Sequence, residues 1–138
     1  MVDIKTVGVI GAGQMGSGIA HVVALGGYDV LLHDVSAERL AQGIAEIEKN
    51  MSRQVARGVI EHGAMETAIA RIKPAAELQT IGTVDLAIEA ATENEETKKT
   101  IFKALQPHLT PDTLLASNTS SISITRLASA TDRPGKFI

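Results

Sequence analysis

Six residues, Gly11-Ala12-Gly13-Gln14-Met15-Gly16, constrain this chain more than any others. They follow the wholly apolar run Val7-Gly8-Val9-Ile10 and open a stretch in which Met15, Ile19, Val22 and Val23 recur at helical spacing. A G-x-G-x-x-G pattern between a strand and a helix gives each glycine a task. The first permits a tight turn, the second lets another group approach the backbone, and the third lets the helix pack directly on the strand. The helix N-terminus placed this way offers unpaired N–H groups and a partial positive charge, which suits a pyrophosphate. The same residues also read as a glycine-rich turn with no ligand, and the pattern alone does not separate the two.

Asp34 favours the first reading. It closes the next apolar run, Asp29 to His33, close to the spacing of about twenty residues at which an acid reaches the adenosine ribose of a dinucleotide. A carboxylate there accepts from the 2′- and 3′-hydroxyls and repels a 2′-phosphate, which points to NAD rather than NADP. Its alternative is a cap for the following helix, a role that Ser36 is placed to fill. Arg39 would suit a 2′-phosphate, but one turn into a helix an arginine is usually a solvated side chain.

The rest of the chain alternates short apolar runs with helical patterns, the mark of a parallel α/β sheet. Gly26-Gly27 ends the first helix. A long helix runs from Ser36 to about Arg57-Gly58, and a shorter one covers roughly 64–71. Ile72-Lys73 is a brief strand stopped by Pro74. Strands follow at 84–88 and 113–116, with a helix over 95–105 between them and a short one over 124–130 after them. Lys136-Phe137-Ile138 reads as the start of one more strand. The expected architecture is a Rossmann-type, doubly wound parallel sheet in three αβα layers, strand order 3-2-1-4-5-6, ending as its sixth strand begins. Residues 1–138 then form one dinucleotide-binding domain, with no internal repeat or linker.

Composition narrows the partners. The net charge of −3 gives no global basic field for nucleic acid or a membrane surface. Cysteine is absent, which removes disulfide and thiolate chemistry and fits a reducing cytoplasm. The start of the chain lacks the features of a signal peptide, and no apolar stretch is long enough to span a bilayer. A soluble cytoplasmic domain is the expectation. The four histidines show no metal-site spacing.

Three segments resemble the 3-hydroxyacyl-CoA dehydrogenase family: 7–20, Ile88-Glu89-Ala90-Ala91-Thr92-Glu93-Asn94, and above all Ala116-Ser117-Asn118-Thr119-Ser120-Ser121. The resemblance covers essentially the whole chain and is greatest to stand-alone bacterial 3-hydroxybutyryl-CoA dehydrogenases. It implies that Gly11, Ala12, Gly13, Gln14, Met15, Gly16 and Asp34 bind NAD, with Glu93 and Lys98 at the nicotinamide-side ribose. It implies that Ser120 touches the substrate oxygen near the nicotinamide, where a hydroxyl can donate to a carbonyl or accept from an alcohol. From the residues alone, Ser120 reads first as a helix cap, and Glu93/Lys98 as an ion pair on an exposed helix. Asn118 is expected to order its loop through its side-chain amide.

Lys49, Arg53 and Arg57 recur every four residues and share one helix face. The resemblance assigns this helix to the phosphates of CoA; on pattern alone the stripe is a solvated face, with Glu46 near enough to pair with it. The resemblance also implies a catalytic histidine and its glutamate partner on segments beyond Ile138, then a helical dimerisation domain. The expected reaction of the whole enzyme is hydride transfer between (3S)-3-hydroxyacyl-CoA and NAD, in a homodimer. The 138-residue chain itself is expected to bind cofactor without turnover. Two other readings stay open: an NAD-dependent dehydrogenase of another hydroxy acid, and a non-catalytic nucleotide-binding module.

Overall fold

The structure is a computed structural model that describes residues 3–118, 127–128 and 131–137. Five parallel strands, β1 (Thr6–Ile10), β2 (Asp29–His33), β3 (Ile72–Ala75), β4 (Leu86–Glu89) and β5 (Leu114–Ser117), form one sheet in the order β3-β2-β1-β4-β5. Four α-helices connect them: α1 (Gln14–Leu25), α2 (Ala37–Ala56), α3 (His62–Arg71) and α4 (Glu95–Leu105). Phe137 bridges Leu115 in parallel, in the place of a sixth strand beside β5. The doubly wound order is therefore as the sequence suggests, and the outer side of β5 is met by the end of the chain.

The sheet is sandwiched because both of its faces are apolar. Val7, Val9, Val30 and Leu32 point to one side and pack with Ala20, Ala24, Ile47, Met51 and Ala68 from α1, α2 and α3. Ile10, Ala87 and Leu115 point to the other, against Ile81, Phe102, Leu105 and Phe137. Phe102 and Phe137 meet edge to face with ring centroids 5.1 Å apart, the offset geometry that aromatic pairs favour. Gly8 is required within β1, since a Cβ there would lie 2.7 Å from Ile81 Cγ2.

Element ends follow local chemistry. Ser36 caps α2 by accepting from the Arg39 N–H at 3.2 Å, and Asn94 caps α4 by accepting from the Thr97 N–H at 3.0 Å. Several boundaries differ from expectation: α3 begins at His62 rather than about 64, β4 at Leu86 rather than 84, and β5 covers Leu114–Ser117 rather than 113–116. Pro74 lies inside β3 rather than stopping it; β3 is an edge strand, and an edge tolerates a proline whose missing N–H faces away from the ladder. β4 runs one residue further than its apolar pattern and includes Glu89. Of the helix expected over 124–130, Leu127 and Ala128 are helical and the rest lies outside the described residues.

β1 and β4 are fastened at their entry ends by one carboxylate. Asp85 Oδ2 accepts from the Lys5 N–H at 2.9 Å and the Thr6 N–H at 3.1 Å. These two backbone donors, Lys5 foremost, hold the Asp85 carboxyl below the usual aspartate range. A depressed folded-state pKa gives stability that is present above the unfolded value of about 3.9 and lost as pH falls through the folded value. Asp85→Ala should therefore cost on the order of 1 kcal/mol at neutral pH, with the gap to the parent narrowing as the pH falls below the unfolded aspartate value of about 3.9. Urea unfolding over a pH series measures this, and a gap independent of pH would contradict it.

Candidate functional site

The strand order reverses between β1 and its neighbours β2 and β4, so their connections diverge to opposite sides and leave a crevice at the carboxyl ends. The glycine loop lines it. Gly11, at the end of β1, has φ of +108° and donates to His33 O at 2.7 Å. A Cβ on Gly11 would lie 2.7 Å from Ala91 Cα, and one on Gly16 would overlap the carbonyl oxygen of Gly11. Both glycines are therefore demanded by the fold. Gly13 differs: its φ is −73°, and nothing lies within 4 Å of a Cβ placed there. The fold does not require Gly13, and the space beside its backbone stays open to another molecule.

Gly13 is also the N-cap of α1. No side chain caps this helix, and its first turn carries no acid. Its leading N–H groups are left for an external acceptor, and the helix dipole favours an anion there. Gln14 and Met15 are exposed on this first turn.

Asp34 sits beside the loop, buried. Its Oδ2 accepts from the Ala12 N–H at 3.0 Å and its Oδ1 from the Ser36 N–H at 2.9 Å. Asp34 thus ties the glycine loop to the start of α2, and Ser36 is not the sole organiser of that turn. A carboxylate has about four lone-pair sites, so two remain for further donors.

The other side of the crevice is built around a residue that sequence reasoning did not single out. Glu89, fully buried at the end of β4, forms an ion pair with Lys98, which is itself fully buried on α4. Glu89 Oε1 also accepts from Ser117 Oγ at 2.8 Å, and Oε2 accepts from the N–H of Ala91 at 2.7 Å and of Thr92 at 3.3 Å. The reading of Glu93 and Lys98 as an exposed ion pair is corrected here, because Lys98 points inward to Glu89. Glu93 is exposed on the turn between β4 and α4. Asn118 is held by its backbone: its N–H donates to Glu89 O at 2.8 Å, and its carbonyl accepts from Lys98 Nζ at 3.4 Å. Ser120 lies outside the described residues.

Lys49, Arg53 and Arg57 are exposed along α2, and Arg53 donates to Asn50 Oδ1 at 3.1 Å. A groove of about 530 Å³ lies between α1 and α2, lined by Gly13, Gln14, Ser17, Arg39, Glu46 and Asn50 among others. It adjoins the glycine loop, and none of the three stripe residues lines it. It exists because Gly43 lets α2 approach α1, where a Cβ would lie 2.7 Å from Ser17 Oγ.

This geometry coincides with what the comparisons return. A family model described as "3-hydroxyacyl-CoA dehydrogenase, NAD binding domain" matches residues 6–138. The chain belongs to that family. A 3-hydroxybutyryl-CoA dehydrogenase of Bradyrhizobium diazoefficiens is 56% identical over 135 residues, which are 98% of this chain and 46% of that protein. A crystal structure of (S)-3-hydroxybutyryl-CoA dehydrogenase from Ralstonia eutropha superposes with a TM-score of 0.95 at 38% identity, covering 99% of this chain and 48% of that one. Another, of 3-hydroxybutyryl-CoA dehydrogenase from Escherichia coli K12, gives 0.94 at 41% identity, over 98% and 29% respectively. The chain thus spans about half the length, or less, of these relatives.

The residues of this NAD-binding domain fit the cofactor implied. Open space at Gly13, an uncapped helix N-terminus and a neighbouring carboxylate with spare lone pairs together match a pyrophosphate flanked by a ribose. The four histidines of the chain are each engaged with the protein or placed in a turn. His21 bonds Gln54 between α1 and α2, His33 Nδ1 bonds Ala75 O, His62 pairs with Glu66, and His108 ends a 3₁₀ turn. Gly13→Ala and Gly16→Ala should therefore separate binding from folding. Gly13→Ala should leave thermal stability within about 0.5 kcal/mol while weakening NADH by tenfold or more, about 1.4 kcal/mol. Gly16→Ala should unfold the domain or lower its melting temperature sharply. Thermal melts and NADH titration of both variants check this, and equal behaviour of the two would contradict it.

Proposed function

We propose that NAD lies across the crevice at the ends of β2, β1 and β4. The uncapped N-terminus of α1 at Gly13, open on the side that faces the crevice, carries this reading most directly. The backbone of Gly11, Ala12, Gly13, Gln14, Met15 and Gly16 holds the pyrophosphate. Asp34 accepts from the adenosine ribose hydroxyls with its remaining lone pairs and disfavours a 2′-phosphate. Glu93 serves the nicotinamide-side ribose, Lys98 supports that side from beneath through its buried pair with Glu89, and Ser120 meets the substrate oxygen near the ring.

The parent activity we infer is the interconversion of (3S)-3-hydroxyacyl-CoA, of the 3-hydroxybutyryl size, and the corresponding 3-oxoacyl-CoA. The bound nicotinamide supplies the hydride acceptor. The residues of this chain bind, orient and exclude water; His33, the histidine at the end of β2, is buried and its Nδ1 is engaged with Ala75 O, on the side away from β4. Lys49, Arg53 and Arg57 meet the CoA phosphates from the outer face of α2, where Arg–phosphate pairs gain from charge-assisted bonding. An acidic chain of net charge −3 supports small-molecule partners rather than nucleic acid or a membrane. No helix among the described residues is long and apolar enough to cross a membrane. We place the enzyme in the cytoplasm, as a homodimer of chains about twice this length, acting in butanoate and fatty acid metabolism.

The test is a titration of this chain with NADH and with NADPH, followed by an assay with acetoacetyl-CoA. NADH should bind at least tenfold more tightly than NADPH, a difference of about 1.4 kcal/mol, without steady turnover. Equal affinity for the two would overturn the role of Asp34, and sustained turnover would overturn the separation of binding from catalysis.

A further inference from the structure

We propose that Glu89 is the positioning residue of the nicotinamide half of the site, a single buried carboxylate that sets three cofactor-facing segments in register. The inference rests on the reading that NAD spans the crevice. The first segment is the turn after β4, where Glu89 Oε2 accepts from the N–H groups of Ala91 and Thr92 at 2.7 and 3.3 Å. The second is α4, through the ion pair with Lys98. The third is the exit of β5, where Ser117 Oγ donates to Oε1 at 2.8 Å and the Asn118 N–H donates to the Glu89 carbonyl at 2.8 Å. Lys98 closes the circuit by reaching the Asn118 carbonyl at 3.4 Å.

Stability alone is a poor reason for this arrangement. Both side chains of the pair are fully buried. Taking two charges out of water costs several kcal/mol each, roughly, and apolar replacements of such pairs are often as stable or more so. What the pair supplies instead is geometry. An aspartate or glutamate with four donors around it has one orientation, and each donor belongs to an element that ends at the crevice. The same turn carries Ala91, whose backbone packs against Gly11, so Glu89 also fixes the distance between the two halves of the site. The adenosine half, by contrast, is organised by Asp34 and the start of α2, and it does not depend on Glu89.

This division gives a readout that a general loss of structure would not produce. ADP-ribose carries the adenosine, the pyrophosphate and the second ribose but lacks the nicotinamide ring, and AMP carries the adenosine half alone. In this chain, Glu89→Gln should weaken NADH at least tenfold while leaving AMP within about twofold; ADP-ribose should fall between the two. Glu89→Gln leaves Lys98 without a counter-charge, so a second variant guards against a folding failure. Glu89→Asp keeps the charge but withdraws the carboxylate by one methylene, and it should show the same selective loss of NADH with a thermal midpoint nearer the parent. If Glu89→Gln does not fold, Glu89→Asp decides the matter. Equal weakening of NADH and AMP, or no weakening of either, would overturn the role of Glu89. Failure of the unaltered chain to bind NADH would instead overturn the cofactor placement on which the inference rests.

Discussion

Among the described residues no glycine comes closer to a neighbouring backbone than Gly16 does to the carbonyl of Gly11, at the mouth of the sheet. Gly16 leaves no room for a side chain over the carbonyl of Gly11, and Gly11 leaves none against Ala90 and Ala91. These two contacts draw α1 onto the end of β1 and bring the exit of β4 alongside it. The direction of α1 follows, and with it the position of an N-terminus that no side chain of the protein caps. A helix whose leading N–H groups are left open at a strand-order switch is an anion site by construction. The strand residues that pack under it, Val7 and Val9, fix it to the apolar core.

The two sides of the crevice solve their polar bookkeeping differently. On the β2 side a buried Asp34 satisfies two backbone donors and keeps capacity for more. On the other side Glu89 is saturated: a lysine, a serine and two backbone N–H groups converge on it. The first group is equipped to bind and the second to hold other groups still. That difference, more than the overall fold, distinguishes a ligand contact from a scaffold contact in this domain, because the sheet itself would accept many ligands.

Much of the fold was legible in the sequence where an element ends on strong local chemistry. β2 and α4 match their expected bounds of 29–33 and 95–105; Gly26-Gly27 and Asp34 are clear punctuation around β2, and the structure adds Asn94 as the cap of α4. β3 was read short because a proline signals a stop, and only tertiary context reveals that β3 lies at an edge. The meeting of the glycine loop with Asp34 was legible because their spacing is fixed by one strand–turn–helix–strand unit. Lys98 was not: helix periodicity pairs it with neighbours three or four residues away, whereas its partner comes from β4, nine residues earlier. Glu89 had one available signal, an acid at the end of a buried apolar run, where an unpaired carboxylate could not be tolerated. Such an acid implies a buried cation beside it, and Lys98 is that cation. The stripe on α2 shows the converse, a regular pattern that needed the structure to reveal that the neighbouring groove is lined by Arg39 and Asn50 instead.

The most direct measurement is an amide NMR titration of this chain with NAD. The expected result is a contiguous set of shifted amides at 11–16, 34–36 and 90–98, with α3 and the far ends of the strands unmoved. Shifts centred on the outer face of α2, or confined to residues away from the glycine loop, would contradict the placement of the cofactor at the open end of α1.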